Sequence, residues 1–194
     1  MDDFKLIEIV PGNPVVLQKN PTNYPLIGKG LQGAVFKLSE DRCVKIYSRK
    51  RYCKRDSQVL REIGQQSSIV PEIYEIGDKY IIMEYLSGPS LQEIFEEQRE
   101  ISEPICIQMI ELLHEQIRCQ FPRIDFALRH AIYDGKGRLK LIDHVNSFRV
   151  KRTVPTRLLK DLKQIGLLEE FLEKVKPIEP QFYEQWKKLR IRNS

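Results

Sequence analysis

The sequence predicts an α+β protein of two lobes, mainly β at its N-terminal end and truncated and mainly α at its C-terminal end. Three observations predict it. Ahead of residue 86 the chain reads as short branched-apolar runs punctuated by Gly, Pro, Asn and Asp, whereas beyond residue 90 apolar residues recur at helical spacing. Three glycines, Gly28, Gly30 and Gly33, fall in one apolar hairpin, and a lysine, Lys45, stands in the strand that follows. Two carboxylates and an imidazole, Asp125, Asp143 and His130, flank a single short hairpin later in the chain.

Residues 4–19 alternate apolar and polar positions around Pro11-Gly12-Asn13-Pro14, which predicts a strand pair and makes 1–25 an N-terminal strand extension. Residues 26–46 then give a strand, the glycine hairpin, a second strand, a polar turn at Ser39-Glu40-Asp41-Arg42, and a third strand Val44-Lys45-Ile46. From about 49 to 66, Val59, Leu60 and Ile63 recur at helical spacing among Lys and Arg, with Glu62 in the last full turn. Strands follow at 73–76 and 80–85, turned at Gly77-Asp78. The composition changes at 86–90, which sets lobes of 26–86 and 87–194. A small helix is expected from Ser90 and a longer one over 103–119, then a strand pair turned at Asp134-Gly135-Lys136-Gly137. One helix is expected from Leu158 to about Leu172. Pro177 and Pro180 precede a last amphipathic helix carrying Phe182, Tyr183 and Trp186, expected to pack on the helical lobe.

Composition narrows the class. A hydrophobic content of 41% with 30% charged residues describes an ordinary soluble protein. No apolar run approaches the ~20 residues needed to span a bilayer. The start, MDDFKLIEIV, has acids where a signal peptide needs positive charge, so a cytoplasmic protein is expected. Cys43, Cys53, Cys106 and Cys119 show neither C-x-x-C nor metal spacing and read as reduced thiols. Net charge is +5, with basic clusters at 49–55, 149–152 and 187–192. Without interleaved aromatic residues these read as solvated charge, which disfavours nucleic acid and leaves peripheral contact with an anionic membrane open.

The glycine hairpin carries the chemistry. Glycines let backbone N–H groups approach phosphate oxygens with no Cβ in the way. The same G-x-G-x-x-G occurs in dinucleotide folds, where a helix follows and an acid stands about 20 residues on. Here Val35-Phe36-Lys37-Leu38 continues as strand and Lys45 comes ten positions after Val35, so the kinase-type nucleotide loop fits better. A plain glycine-rich hairpin with an exposed lysine is the alternative. Downstream, Asp125 and His130 lie five apart on a loop, and Asp143 ends an apolar strand 18 residues after Asp125. A hairpin between them would return that strand's end to the loop's start. Phosphoryl transfer needs such a grouping, one carboxylate for the attacking hydroxyl and another group for the divalent metal. Each acid alone is equally well a turn or capping residue.

On these residues the chain resembles the protein-kinase-like superfamily, and more closely its small bacterial branch around the RIO-type and lipopolysaccharide-core kinases, from about Leu26 to about Leu172. The resemblance implies that Ile27, Gly28, Lys29, Gly30, Leu31, Gly33 and Val35 cover ATP, that Lys45 grips its phosphates, and that Glu62 orients Lys45. It implies an adenine site along Ile81–Tyr85 and the hinge, with Met83, Glu84 and Leu86 in contact. Asp125 falls at the catalytic-loop aspartate, His130 at the metal-binding asparagine and Asp143 at the metal-binding aspartate, so the implied cofactors are ATP and Mg²⁺ or Mn²⁺. Asp161 falls at the helix aspartate that braces the catalytic loop.

The chain also departs from the pattern. H-R-D reads Arg123-Ile124-Asp125, the catalytic-loop lysine is Ala127, and D-F-G reads Asp143-His144-Val145. The histidine and the I-D-H triplet are similar to those of lipopolysaccharide-core kinases, and Arg129 stands ready to supply the charge of the missing lysine. Only 51 residues follow Asp143, with no A-P-E motif, so control by activation-segment phosphorylation is not expected. The implied function is a minimal bacterial serine/threonine protein kinase. A sugar or glycan kinase is one alternative, and a nucleotide-binding pseudokinase scaffold is another.

Overall fold

A computed structural model describes residues 3–144 and 151–189. Val145 and parts of the basic clusters at 149–152 and 187–192 lie outside the described residues. The chain divides into two compact units. The first holds residues 3–87 together with Asp143 and His144, the second residues 88–142 and 151–189.

In the first unit a 3-10 turn, Asp3–Leu6, precedes an antiparallel pair, β1 (Glu8–Val10) and β2 (Val16–Lys19). The strand expected from residue 4 therefore starts later. Phe4 turns inward to lie edge-on against Tyr80 at 5.0 Å between ring centroids, and Ile7 N–H closes the turn on Phe4 O. Five further strands form an antiparallel sheet in the order β3-β4-β5-β7-β6. They are β3 (Leu26–Lys29), β4 (Gly33–Lys37), β5 (Arg42–Tyr47), β6 (Ile73–Ile76) and β7 (Tyr80–Glu84).

Strand alternation sorts the side chains of this sheet. Ala34, Phe36, Val44, Ile46 and Ile82 share a core with Phe4, Ile7 and Val15. Each of the larger side chains contributes about 1.5–3 kcal/mol by burial, so the N-terminal segment is part of this unit's core. Helix α1 (Lys50–Gly64) packs against β5, β6 and β7, and its buried positions include Cys53, Asp56, Val59, Leu60 and Ile63.

The second unit is mainly helical. Helix α2 (Leu91–Gln98) starts with a capping box: Ser90 Oγ accepts from Glu93 N–H, and the Glu93 carboxylate accepts from Ser90 N–H at 2.8 Å. Helix α3 (Glu103–Arg118) buries Cys106, Met109, Ile110, Leu112 and Leu113. A 3-10 turn, Leu128–His130, leads into the hairpin β8 (Ala131–Tyr133) and β9 (Leu139–Leu141). Three helices end the unit: α4 (Thr156–Gln164), α5 (Leu168–Ile178) and α6 (Pro180–Trp186).

The single helix expected to about Leu172 is thus two. Gly166 takes φ +81°, its N–H bonds Lys163 O at 3.1 Å, and Leu167 N–H bonds Leu162 O at 2.9 Å, a Schellman stop. Pro177 lies inside α5 and does not end it, while Trp186 of α6 stacks on Phe171 and Phe182 as the last helix packs down. The four cysteines are free and buried, and burial pushes the Cys43 thiol up to about 12. Among the described residues no helix is long and apolar enough to cross a membrane.

Candidate functional site

In the first unit, Lys45 sits mid-strand in β5, opposite Val35 on β4 and Ile81 on β7. Strand alternation turns it away from the core that holds Val44 and Ile46. Its ammonium lies 2.7 Å from Asp56 Oδ2 and 3.3 Å from Asp143 Oδ1. Tyr47 Oη–H donates to the same Asp56 Oδ2 at 2.6 Å, and His144 N–H donates to Asp56 Oδ1 at 2.9 Å. Both oxygens of a carboxylate that is 2% exposed are therefore satisfied. Burial alone would lower the Lys45 pKa, but the Asp56 and Asp143 charges outweigh it and hold the ammonium above the ordinary lysine range. Burial likewise opposes ionisation of Asp56, and the Lys45 charge wins, holding that carboxyl below its usual value.

The partner of Lys45 corrects the sequence reading. Glu62 does not orient the lysine: it points outward and accepts from Gln58 Nε2 at 2.9 Å. The signal for Asp56 was present in the phase of α1. Cys53, Asp56, Leu60 and Ile63 follow the three- and four-residue steps of one apolar face, and Asp56 is a carboxylate within it. Glu62 lies six residues on, about 120° around the helix.

Asp143 has φ +63°, a left-handed conformation that is uncommon for a non-glycine residue. It is held by its own side chain on Lys45 and, one residue on, by His144 N–H on Asp56.

The glycine hairpin divides by role. At Gly33 an added Cβ would stand 2.3 Å from Ile46 O, so β4 and β5 could not pair as they do. At Gly28 and Gly30 a Cβ would meet nothing within 4 Å. The hairpin closes through Gly30 N–H to Gly33 O at 3.0 Å and is tied to the N-terminal segment by Val15 N–H to Gly30 O at 2.8 Å. Lys29 ends β3, while Ile27 and Leu31 are exposed, at 42% and 57%. At the end of β7, Glu84 N–H is taken by Glu72 O and Tyr85 N–H by Asp41 O. Met83 and Leu86 are buried beside them.

In the second unit, Asp125 is buried, with its side chain 0% exposed. Its carboxylate accepts Arg157 N–H at 3.0 Å and Leu158 N–H at 3.1 Å, capping the first turn of α4. Arg152 stands 3.4 Å and Arg123 3.6 Å from its Oδ2. Burial pushes the Asp125 carboxyl above the usual aspartate value, against the lowering by these amides and guanidinium groups. Where the sequence reading has this side chain meeting an acceptor hydroxyl, the structure has it closed over by α4. Asp161 Oδ2 accepts Leu128 N–H at 3.2 Å, so the expected brace on the loop is formed, and Arg157 Nε holds Asp161 Oδ1 at 2.8 Å. His130 ends the 3-10 turn, its backbone fixed by N–H to Ala127 O and by Ile142 N–H to its own carbonyl, both at 2.9 Å. Among the described residues no group of three or more His, Cys, Asp or Glu is gathered as a metal site.

No family model matches the sequence. A protein of Bacillus subtilis (strain 168) named "Putative serine/threonine-protein kinase YrzF" is 28% identical over 123 residues. The match covers 61% of this chain and 57% of that protein's length. The chain is a distant homologue of a protein carrying a kinase name, and its mixed α+β fold, an antiparallel five-stranded sheet followed by a mostly helical part, is consistent with a two-lobed kinase-like architecture.

Proposed function

We propose that this chain is an ATP-dependent phosphotransferase, a minimal bacterial serine/threonine protein kinase that moves the γ-phosphoryl group of ATP to a hydroxyl. One observation carries the reading. A half-buried lysine paired with Asp56 and Asp143 shares a sheet with a hairpin whose Gly28 and Gly30 serve no packing purpose. Glycine kept in open space fits the close approach of a ligand's phosphates to the backbone. The distant likeness to a kinase-named protein supports the same reading.

ATP, when bound, would supply the phosphoryl group, and a divalent metal would neutralise phosphate charge. The chain's residues divide the remaining work. Lys45, positioned by Asp56, offers an ammonium to the α- and β-phosphates, and the hairpin from Ile27 to Val35 covers them. The Glu84 and Tyr85 N–H groups are spent on Glu72 O and Asp41 O, so adenine would pair through the Leu86 N–H, with Met83 beside it. Asp143 would offer a hard oxygen, and His130 a softer nitrogen, to Mg²⁺ or Mn²⁺. Asp125 orients the acceptor hydroxyl once α4 gives up its carboxylate. A protein hydroxyl is the acceptor we favour over a sugar.

A second reading, a nucleotide-binding scaffold without transfer, is favoured by the 0% exposure of Asp125 and its role as a helix cap. Transfer from γ-labelled ATP to a panel of proteins and sugars separates the two. The kinase reading expects transfer by the native protein and a loss of about 100-fold or more in Asp125→Asn. ATP binding with no transfer to any acceptor supports the scaffold and ends the kinase proposal.

A further inference from the structure

We infer that the open groove at the start of α4 is a docking site for an extended phosphopeptide, the phosphorylated flank of the acceptor polypeptide. This inference deepens the kinase reading and, as to substrate class, rests on it. The groove, about 830 Å³, lies wholly within the second unit and is lined by Lys151, Arg152, Thr153, Thr156, Arg157 and Lys160, among others. Among the described residues no carboxylate lines it.

Two of its cations are already engaged. Arg152 reaches Asp125 at 3.4 Å and Thr156 Oγ1 at 2.6 Å, and Arg157 holds Asp161 at 2.8 Å. Lys151 and Lys160 have no ion-pair partner among the described residues. These two lysines together carry +2, and a phosphate monoester carries about −1.5 to −2. The charge of the groove thus matches one phosphate, with Thr153 an exposed hydroxyl donor beside it.

The backbone argues for a peptide. Arg152 pairs in parallel with Arg123: its N–H goes to Pro122 O and its carbonyl accepts Ile124 N–H, both at 2.8 Å. The N–H and C=O of Lys151, and of Thr153 where the chain bends, make no hydrogen bond among the described residues. An extended peptide can hydrogen-bond to these groups, its phosphorylated side chain reaching Lys151 and Lys160. Nucleic acid would call for aromatic stacking surfaces, and among the described residues no aromatic side chain lines the groove. Arg152 links the groove to Asp125, so a docked flank also competes for one of the groups that hold Asp125 closed.

Fluorescence anisotropy with a labelled phosphoserine peptide, its unphosphorylated twin, a phosphorylated hexose and a single-stranded RNA tests this without ATP. The phosphopeptide should bind at least about tenfold tighter than its twin and tighter than the hexose or the RNA. Binding should fall at least about tenfold in Lys151→Ala/Lys160→Ala, and comparably in Lys160→Glu, which removes the same net charge. Equal binding of the two peptides, undiminished binding by the double variant, or stronger binding of hexose or RNA would overturn it. Transfer assays keep the two readings apart. Phosphopeptide binding without transfer retires the kinase and leaves the groove, whereas transfer that is insensitive to both lysines retires the groove and leaves the kinase.

Discussion

Replacing Asp56 by Asn tests the least expected feature of the nucleotide-end geometry. The substitution removes the negative charge 2.7 Å from the Lys45 ammonium. It also leaves a single carbonyl oxygen where two oxygens now serve Lys45, the Tyr47 hydroxyl and the His144 N–H. Breaking a buried pair by neutralising one partner typically costs about 3–5 kcal/mol. Asp143, 3.3 Å from the same ammonium, partly compensates, so we expect a loss of about 3 kcal/mol in urea unfolding at neutral pH.

The loss should depend on pH with a fixed sign. Folding holds the Asp56 carboxyl below its reference value of 3.8, so its stabilisation is present above that value and fades as pH falls through the folded one. The gap between native protein and variant should therefore shrink on acidification. Glu62→Gln, on the outer face, should change stability by no more than about 0.5 kcal/mol. The reasoning fails if Asp56→Asn stays within about 0.5 kcal/mol of the native protein while Glu62→Gln weakens both stability and ATP binding.

Other outcomes follow from single distances and angles. Gly33→Ala forces a Cβ to within 2.3 Å of Ile46 O and should destabilise by several kcal/mol in thermal unfolding. Gly28→Ala and Gly30→Ala, in open space, should leave the melting temperature nearly unchanged and weaken ATP binding. Gly166→Ala places a side chain at φ +81° and should cost about 1–2 kcal/mol by urea titration. Asp125→Ala strips the cap from α4 and should cost about 1–2 kcal/mol even with no nucleotide present, whereas Asp125→Asn keeps one acceptor oxygen and should cost less.

Local signals were the legible ones. The sheet could be read because each strand is short, branched and bounded by turn residues, and Gly77-Asp78 and Asp134 to Gly137 fall where the chain reverses. Lys45 could be placed because a strand's alternation fixes which side of the sheet it takes. Glu62 was misread because residue type was weighed ahead of helical phase, which alone distinguishes a carboxylate on the packed face of α1 from one on its outer face. The capping role of Asp125 was out of reach. Its partners, Arg157 and Leu158, lie more than thirty residues away, and nothing near Asp125 records where the first turn of α4 will come to rest. The break at Gly166 was legible in principle, since a glycine after Gln164-Ile165 is an ordinary helix stop.

The most direct test of the account is calorimetric titration of ATP with Mg²⁺ into the native protein and into Lys45→Met/Asp56→Asn. Removing both charges together strands neither inside the pair, and Asp143, 30% exposed, keeps access to solvent, so the double variant should remain folded. The account predicts one ATP bound per chain and affinity at least about tenfold lower in the double variant, the worth of one charge-assisted phosphate contact. Equal affinity in the two proteins, or no binding to either, would contradict it.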